Sequence, residues 1–369
     1  MTKEKLDGLR QNIDELDQQV LTLISHRARC AQQVAQVKQS ACEQSGEPTV
    51  FYRPEREAQV LRAIMARNKG PLDDEVMARL FREIMSACLA LEAPLKVAYL
   101  GPEGTFTQQA SIKHFGHCAV STPMPAIDEV FREVSAGAVD YGVVPVENSS
   151  EGVVNHTLDS FLSHSLTICG EVVLRIHHNM LVSENTHRDS ISRIYSHSQS
   201  FAQCRKWLDA HLPRAERVAV TSNAEAAKRV RGEWNAAAIA GDIAAELYGL
   251  EKIAEKIEDR PDNATRFLII GNTPVPRSDL QGKEDKTSII VSMRNQPGAL
   301  QSVIEPFYIH NIDLTRVETR PSRSGTWNYV FFIDFEGHQD DPVVKRVLER
   351  LTDRANELKV LGSYPKGVL

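Results

Sequence analysis

At 369 residues the chain exceeds what one hydrophobic core usually supports, so two or three domains are expected. Its 42% hydrophobic and 25% charged content is that of a globular protein, and a net charge of −6 with a pI near 6.1 argues against nucleic acid as the main partner. No apolar run approaches the ~20 residues of a membrane span, the opening MTKEKLDGLRQ lacks an export signal's apolar core, and six scattered cysteines form no CxxC pair; a reduced cytoplasmic protein without membrane, metal or cofactor is expected.

From the N-terminus, Leu9, Ile13, Leu16, Val20 and Leu23 recur at spacings of four and three, the seam of a long helix packed against other helices. The same rhythm continues through Arg27, Ala31, Val34 and Lys38, and Arg10 flanks the first seam residue. A cation in a helical core is costly unless an anion meets it. Either side chain alone would be read as snorkelling its charge to the bundle's end. Three cations on one face point instead to a small, multiply charged anion.

That helix ends in the polar stretch from Cys42 to Pro48. A second is expected from Pro54 to Asn68, with proline suited to a first turn, and a third after Asp73 or Asp74, carrying Val76, Leu80, Phe81, Ile84, Cys88 and Leu91. Three helices with one very long member do not easily enclose their own apolar stripe, so residues 1–93 predict an all-α domain buried against a second copy as an intertwined dimer.

Beyond Pro94 the texture changes. Short β-rich runs at 96–100, 141–146, 166–174 and 267–270 alternate with helical stretches at 126–135 and 155–162, and a second set of strands lies at 191–195, 217–220 and 236–240. Residues 95–273 thus predict two α/β lobes with largely parallel strands and a cleft between them. His177 and His178 would point to opposite faces of a strand and have no third ligand at metal spacing, so they are expected to serve a hinge or packing. After a polar linker (274–286), residues 285–369 read as β-α-β-β-α-β, the ferredoxin-like pattern.

Taken together, the chain resembles the bifunctional chorismate mutase–prephenate dehydratase family over essentially its whole length. Residues 1–93 resemble the all-helical chorismate mutases. The resemblance places Arg10, Arg27 and Lys38 at the substrate's carboxylates and ether oxygen, with Arg10 reaching across from the partner subunit. It places Glu57 of FYRPERE (51–57) at the substrate hydroxyl. A Claisen rearrangement of a bound dianion needs no nucleophile or proton transfer, only a held conformer and charge at the breaking C–O bond. Glu92 matches a position where glutamine is familiar. An ether oxygen only accepts, so Glu92 must be protonated to help, and the site must raise its pKa. Arg53 stands where Asp is expected and Cys88 where Ser is, both as substrate-binding positions.

The middle block resembles prephenate dehydratase with a periplasmic-binding-protein-like fold, through GPEGTFT (101–107), ENSSEG (147–152), SHSQ (196–199) and TRF (265–267) in order. GPEGTFT alone would be a weak phosphate-loop mimic, and lacking GK[ST] it does not imply ATP. The resemblance makes Thr265 the donor to the leaving hydroxyl, with Asn148 and Gln199 as its catalytic companions. Thr105, Glu147, Ser149, Ser196, His197 and Arg266 would bind substrate, Arg266 as a carboxylate partner. Ser198 replaces a usual proline.

The last block resembles an ACT domain whose phenylalanine-binding motifs NQPGAL (295–300) and ETRP (318–321) supply Asn295, Gly298, Ala299, Leu300, Glu318 and Arg320 as allosteric residues, with Thr319 for the usual serine. The function implied is conversion of chorismate to prephenate and then phenylpyruvate, inhibited by phenylalanine, in a homodimer or larger assembly. Two other readings stay open on residues alone: a monofunctional dehydratase whose helical domain only dimerises, and a non-catalytic two-lobed amino-acid sensor.

Overall fold

The computed structural model describes residues 2–45, 51–184, 186–278, 284–294, 296–321 and 329–369. The N-terminal unit is three helices, α1 (Thr2–Ser45), α2 (Pro54–Arg67) and α3 (Asp74–Ala90). Pro54 occupies the first turn of α2, where its missing N–H costs nothing. Helix α1 packs on α3 and leaves most of itself in solvent: Leu9, Ile13, Leu16, Val20 and Leu23 are 52–67% exposed, and Ala35 is its one buried residue among those described. The apolar seam read from the sequence is present and uncovered in the single chain.

The middle unit has two lobes. The first contains β1 (Lys96–Leu100), α4 (Phe106–Phe115), β2 (Val120–Met124), α5 (Ile127–Ser135), β3 (Tyr141–Asn148), β4 (Gly152–Val153), α6 (Asn155–Ser163) and β5 (Thr167–Arg175). The chain crosses to the second lobe for β6 (Asn179–Val182), β7 (Arg193–His197), α7 (Ser198–Gln203), α8 (Arg205–His211), β8 (Glu216–Val220), α9 (Asn223–Val230), β9 (Ala236–Ala240), α10 (Asp242–Tyr248) and β10 (Glu251–Ala254). It then returns to the first as β11 (Ala264–Gly271). The sheet orders are β2-β1-β3-β11-β5, with β4 on β3, and β10-β6-β9-β7-β8.

The expectation of largely parallel strands is corrected here. β11 runs antiparallel to both β3 and β5, and β6 antiparallel to both β9 and β10. Each lobe receives a strand from a crossover that enters at the sheet's other end, which reverses its direction. The crossovers lie side by side, joined by Ile257 N to His178 O (2.8 Å) and Ile176 N to Asn263 O (2.9 Å).

The C-terminal unit is β12 (Asp285–Met293), α11 (Ala299–Ile309), β13 (Leu314–Pro321), β14 (Tyr329–Glu336), α12 (Pro342–Arg354) and β15 (Glu357–Pro365), in an antiparallel sheet ordered β13-β14-β12-β15. One face packs on its two helices through Ile289, Val291, Phe331 and Ile333. The other joins the first lobe's core: Ile290, Val330, Phe332 and Leu361 cluster with Phe131, Val144 and Ile168. Gly362 permits that seat, since a Cβ there would lie 2.3 Å from the Ile168 carbonyl oxygen. The segment read as a polar linker is partly anchored, with Val275 and Ser278 buried and Ser278 bonded to Asp285. Tyr52 seats the helical unit on the lobe's opposite face, its hydroxyl 3.1 Å from His114 Nε2.

Candidate active sites

The two lobes face each other across a cleft of about 370 Å³ at the carboxyl ends of β3, β7, β8 and β9, where ligands of open α/β sheets bind. Of the residues expected here, Thr105, Asn148, His197, Gln199 and Thr265 line it. Strand pairing puts Thr265 directly opposite Asn148, and Asn148 Nδ2 donates to Thr265 Oγ1 at 2.8 Å. The hydroxyl thus accepts from the amide and keeps its own proton to donate. Thr105 caps α4: its Oγ1 accepts from Gln108 N (3.4 Å) and donates to Leu100 O (3.2 Å). Ser198 is the first residue of α7, a position where proline and serine are both at home.

Four expected residues lie elsewhere. Arg266, next to Thr265 on β11, points to the opposite face and is held by Glu171 (2.9 Å), Asp334 (2.5 Å) and Tyr364 (3.0 Å) at the junction with the C-terminal unit. Burial disfavours its charge, but Tyr364, Asp334 and Glu171 outweigh that and raise its pKa. Glu147 pairs with Arg316 of β13 (3.0 Å). Ser149 Oγ accepts from Ala264 N (2.9 Å) and braces the loop behind the cleft. Ser196 is fully buried and holds Asn223 Oδ1 at 3.0 Å.

Sequence reading missed Phe106, His178, Gln203, Ser222 and Asn223, which all line the cleft. A signal existed for two of them. SNAE at 222–225 is a capping box following a strand, and Ser222 Oγ accepts from Glu225 N at 3.0 Å to start α9 at the cleft. His177 and His178 do sit in a crossover: His177 Nδ1 is 2.7 Å from Glu258, and His178 Nε2 is 2.8 Å from Gln203 Oε1. Among the described residues, no Lys or Arg lines the cleft.

In the helical unit, Glu92 follows α3 within electrostatic reach of Lys38 and Arg27. Burial raises its pKa, and the two cations pull against that rise. Lys38 Nζ donates to Phe51 O at 3.4 Å. Cys88 is buried one helical turn before Glu92. Arg10 stands about 42 Å from Lys38 along α1, so the two do not meet within one chain. Arg53 pairs with Glu55 (2.6 Å). Glu57 is engaged by Arg82 (3.2 Å) and lines a small cavity with His114 and Gly170 at the contact with the middle unit.

In the C-terminal unit Gly298, Ala299 and Leu300 line a second cleft, of about 350 Å³, together with Thr319, Tyr329 and Phe331. Gly298 has φ +85° at the N-cap of α11, a conformation that suits glycine. Asn295 lies outside the described residues. Glu318 and Arg320 do not line this cleft; they lie on the other face of β13, where Arg320 reaches Asp159 (3.2 Å) and Asn155 Oδ1 (2.5 Å) of α6.

Family models match the chain in three consecutive blocks: chorismate mutase type II over residues 9–93, prephenate dehydratase over 97–275 and the ACT domain over 287–353. It is therefore a multidomain enzyme with two catalytic domains and a ligand-sensing fold. A bifunctional chorismate mutase/prephenate dehydratase of Pseudomonas aeruginosa is 68% identical over 367 residues, covering 100% of this chain and 99% of its own. One from Aquifex aeolicus is 42% identical and covers 99% of both chains. The crystal structure of a prephenate dehydratase from Arthrobacter aurescens in complex with L-Phe is 32% identical, with a TM-score of 0.68, covering 73% of this chain and 90% of that one. The chain belongs to the bifunctional chorismate mutase/prephenate dehydratase family.

Proposed function

We propose that the interlobe cleft converts prephenate to phenylpyruvate with Thr265 as the proton donor. The observation that carries this is the 2.8 Å hydrogen bond by which Asn148 occupies a lone pair of Thr265 Oγ1 and leaves its proton free. The ring carboxylate leaves as CO₂; its electron pair enters the ring and expels the hydroxyl at the opposite carbon. That hydroxyl takes the Thr265 proton as its C–O bond breaks and leaves as water, the donor stabilising the developing charge. The threonine oxygen recovers its proton from solvent, so the net products are phenylpyruvate, CO₂ and hydroxide. The described residues that line the cleft offer the departing carboxylate no Lys or Arg counter-ion, which favours its loss as neutral CO₂. Gln199, His197, Thr105 and the Ser222–Asn223 corner supply uncharged groups for the pyruvyl side chain. Arg266, Glu147, Ser149 and Ser196 act from outside the cleft.

Chorismate rearranges to prephenate at Arg27, Lys38 and protonated Glu92, with Arg10 supplied by a second copy. The exposed α1 seam supports the homodimer that would bring it there. Arg53, Glu57 and Cys88 keep only supporting places in that site; the first two are engaged in ion pairs with Glu55 and Arg82. Phenylalanine is the inhibitor, bound at the Gly298–Leu300 turn and Thr319; Glu318 and Arg320 transmit its effect. The enzyme works in the cytoplasm on small molecules alone.

The test is a coupled assay of full-length protein following chorismate loss and phenylpyruvate formation. Thr265→Ala is expected to lower phenylpyruvate formation about 10²–10³-fold while prephenate accumulates. Undiminished phenylpyruvate from that variant sinks the assignment.

A further inference from the structure

The side-chain hydrogen bonds that join Thr265, Asn148 and Asn263 take their direction from two backbone amides. Ser150 N and Glu151 N donate to Asn148 Oδ1 at 2.9 and 3.1 Å, which identifies that atom as the amide oxygen and puts Nδ2 beside Thr265. The same Nδ2 donates to Asn263 Oδ1 at 3.1 Å, and Ser150 Oγ donates to that oxygen at 3.2 Å. Asn263 is 2% exposed and lies where the second crossover re-enters the first lobe, two residues before Thr265. With its oxygen committed to Asn148, its Nδ2 faces Gln203 Oε1 (3.3 Å) at the end of α7, in the other lobe. Gln203 Oε1 then has to accept from His178 Nε2 (2.8 Å), so the neutral ring carries its proton on Nε2. Burial, first among the causes, lowers the His178 pKa and keeps the ring neutral. The far ends of this chain, His178 Nδ1 and Gln203 Nε2, are buried without partners, a desolvation cost that simple packing would avoid.

We propose that Asn263 is a positioning residue of the dehydratase: it holds the Asn148 amide in the orientation that leaves the Thr265 proton available, and links that orientation to the opposite lobe through Gln203 and His178. The sequence marks it only as the asparagine of DNATRF (262–267), outside the TRF triplet. The inference rests on the roles given above to Thr265 and Asn148.

The test compares Asn263→Ala, Asn263→Asp and Thr265→Ala in the full chain. Asn263→Ala is expected to lower kcat for prephenate about 10²-fold with KM changed less than about threefold, because a misdirected donor costs turnover more than binding. Asn263→Asp is nearly isosteric, keeps an acceptor for Asn148 and is expected to recover turnover to within about tenfold of wild type. Its carboxylate cannot donate to Gln203, so Gln203 turns its amide over, and ¹⁵N-labelled histidine spectra should show His178 moving from the Nε2–H to the Nδ1–H tautomer. Wild-type kcat in Asn263→Ala, alongside an inactive Thr265→Ala, overturns the positioning role alone. So does an Asp variant that folds yet is as inactive as the Ala variant, or one whose His178 tautomer does not move. Full turnover in Thr265→Ala removes the underlying assignment, and this inference with it.

Discussion

TRF packs three jobs into consecutive residues because a strand alternates its faces. Thr265 opens into the cleft, Arg266 crosses to the C-terminal unit's ionic cluster, and Phe267 enters the core behind the cleft. A motif read along the chain shows all three as one site; only the sheet separates them. For that reason Arg266 reads as a substrate ligand in the sequence but does not line the cleft, and Thr265 is legible only through the TRF motif: it opens β11, and antiparallel pairing sets it opposite Asn148 at the carboxyl end of β3. Asn223 and Asn263 stayed hidden, since a single asparagine carries no period and its role comes from partners far along the chain. Glu92 offers a test at the same scale. Burial raises its pKa, the neutral form can donate to an ether oxygen, and the carboxylate cannot. Mutase turnover is therefore expected to fall as pH rises through that raised pKa, and Glu92→Gln should flatten the descent. A pH–rate profile that is the same in both proteins would discard the idea.

Among the elements, β13 has the most divided duty. Thr319 lines the ligand cleft on one face, while Arg316 and Arg320 on the other bind Glu147 and Asp159 of the dehydratase domain. Glu147 directly precedes Asn148, whose amide donates to the Thr265 hydroxyl. Element boundaries were readable where punctuation marks them, as Pro54 opens α2, whereas β13 alternates in burial but not in apolarity, so its place at the sheet's edge could not be read. What the pattern did not supply was direction, because nothing in the apolar runs of β6 and β11 tells which way a returning crossover enters a sheet. If β13 transmits the effector's signal, Arg320→Ala should raise the phenylalanine concentration for half-inhibition about five- to tenfold, toward the low end of usual coupling energies. An unchanged inhibition curve would assign the ion pair to stability alone.

At the level of the molecule, the exposed α1 seam is the feature that bears on assembly. A row of apolar residues this long on one helix face is the mark of a partner surface. Replacing Leu16 and Val20 together by Asp should yield monomers in sedimentation, with mutase activity lost by the larger factor because Arg10 can no longer reach a neighbour's site. A stable dimer from the double variant would contradict the seam's role.

Helix α2 has a grip beyond its own domain. Gln59 Nε2 donates to Ser278 O at 2.5 Å, and Arg62 Nη2 donates to Glu284 O (3.2 Å) and Lys366 O (3.1 Å), which adjoin each other where β12 begins and β15 ends. The same helix carries Glu57. The mutase and ACT domains are thus in direct contact, and any linkage between their ligands runs in both directions. Whatever factor phenylalanine applies to the binding of a non-reacting dicarboxylate analogue at the mutase site, that analogue must apply to phenylalanine. Calorimetric titration of each ligand with and without the other should return one common factor different from unity. A factor of one would mean that the first domain in the chain is deaf to the last.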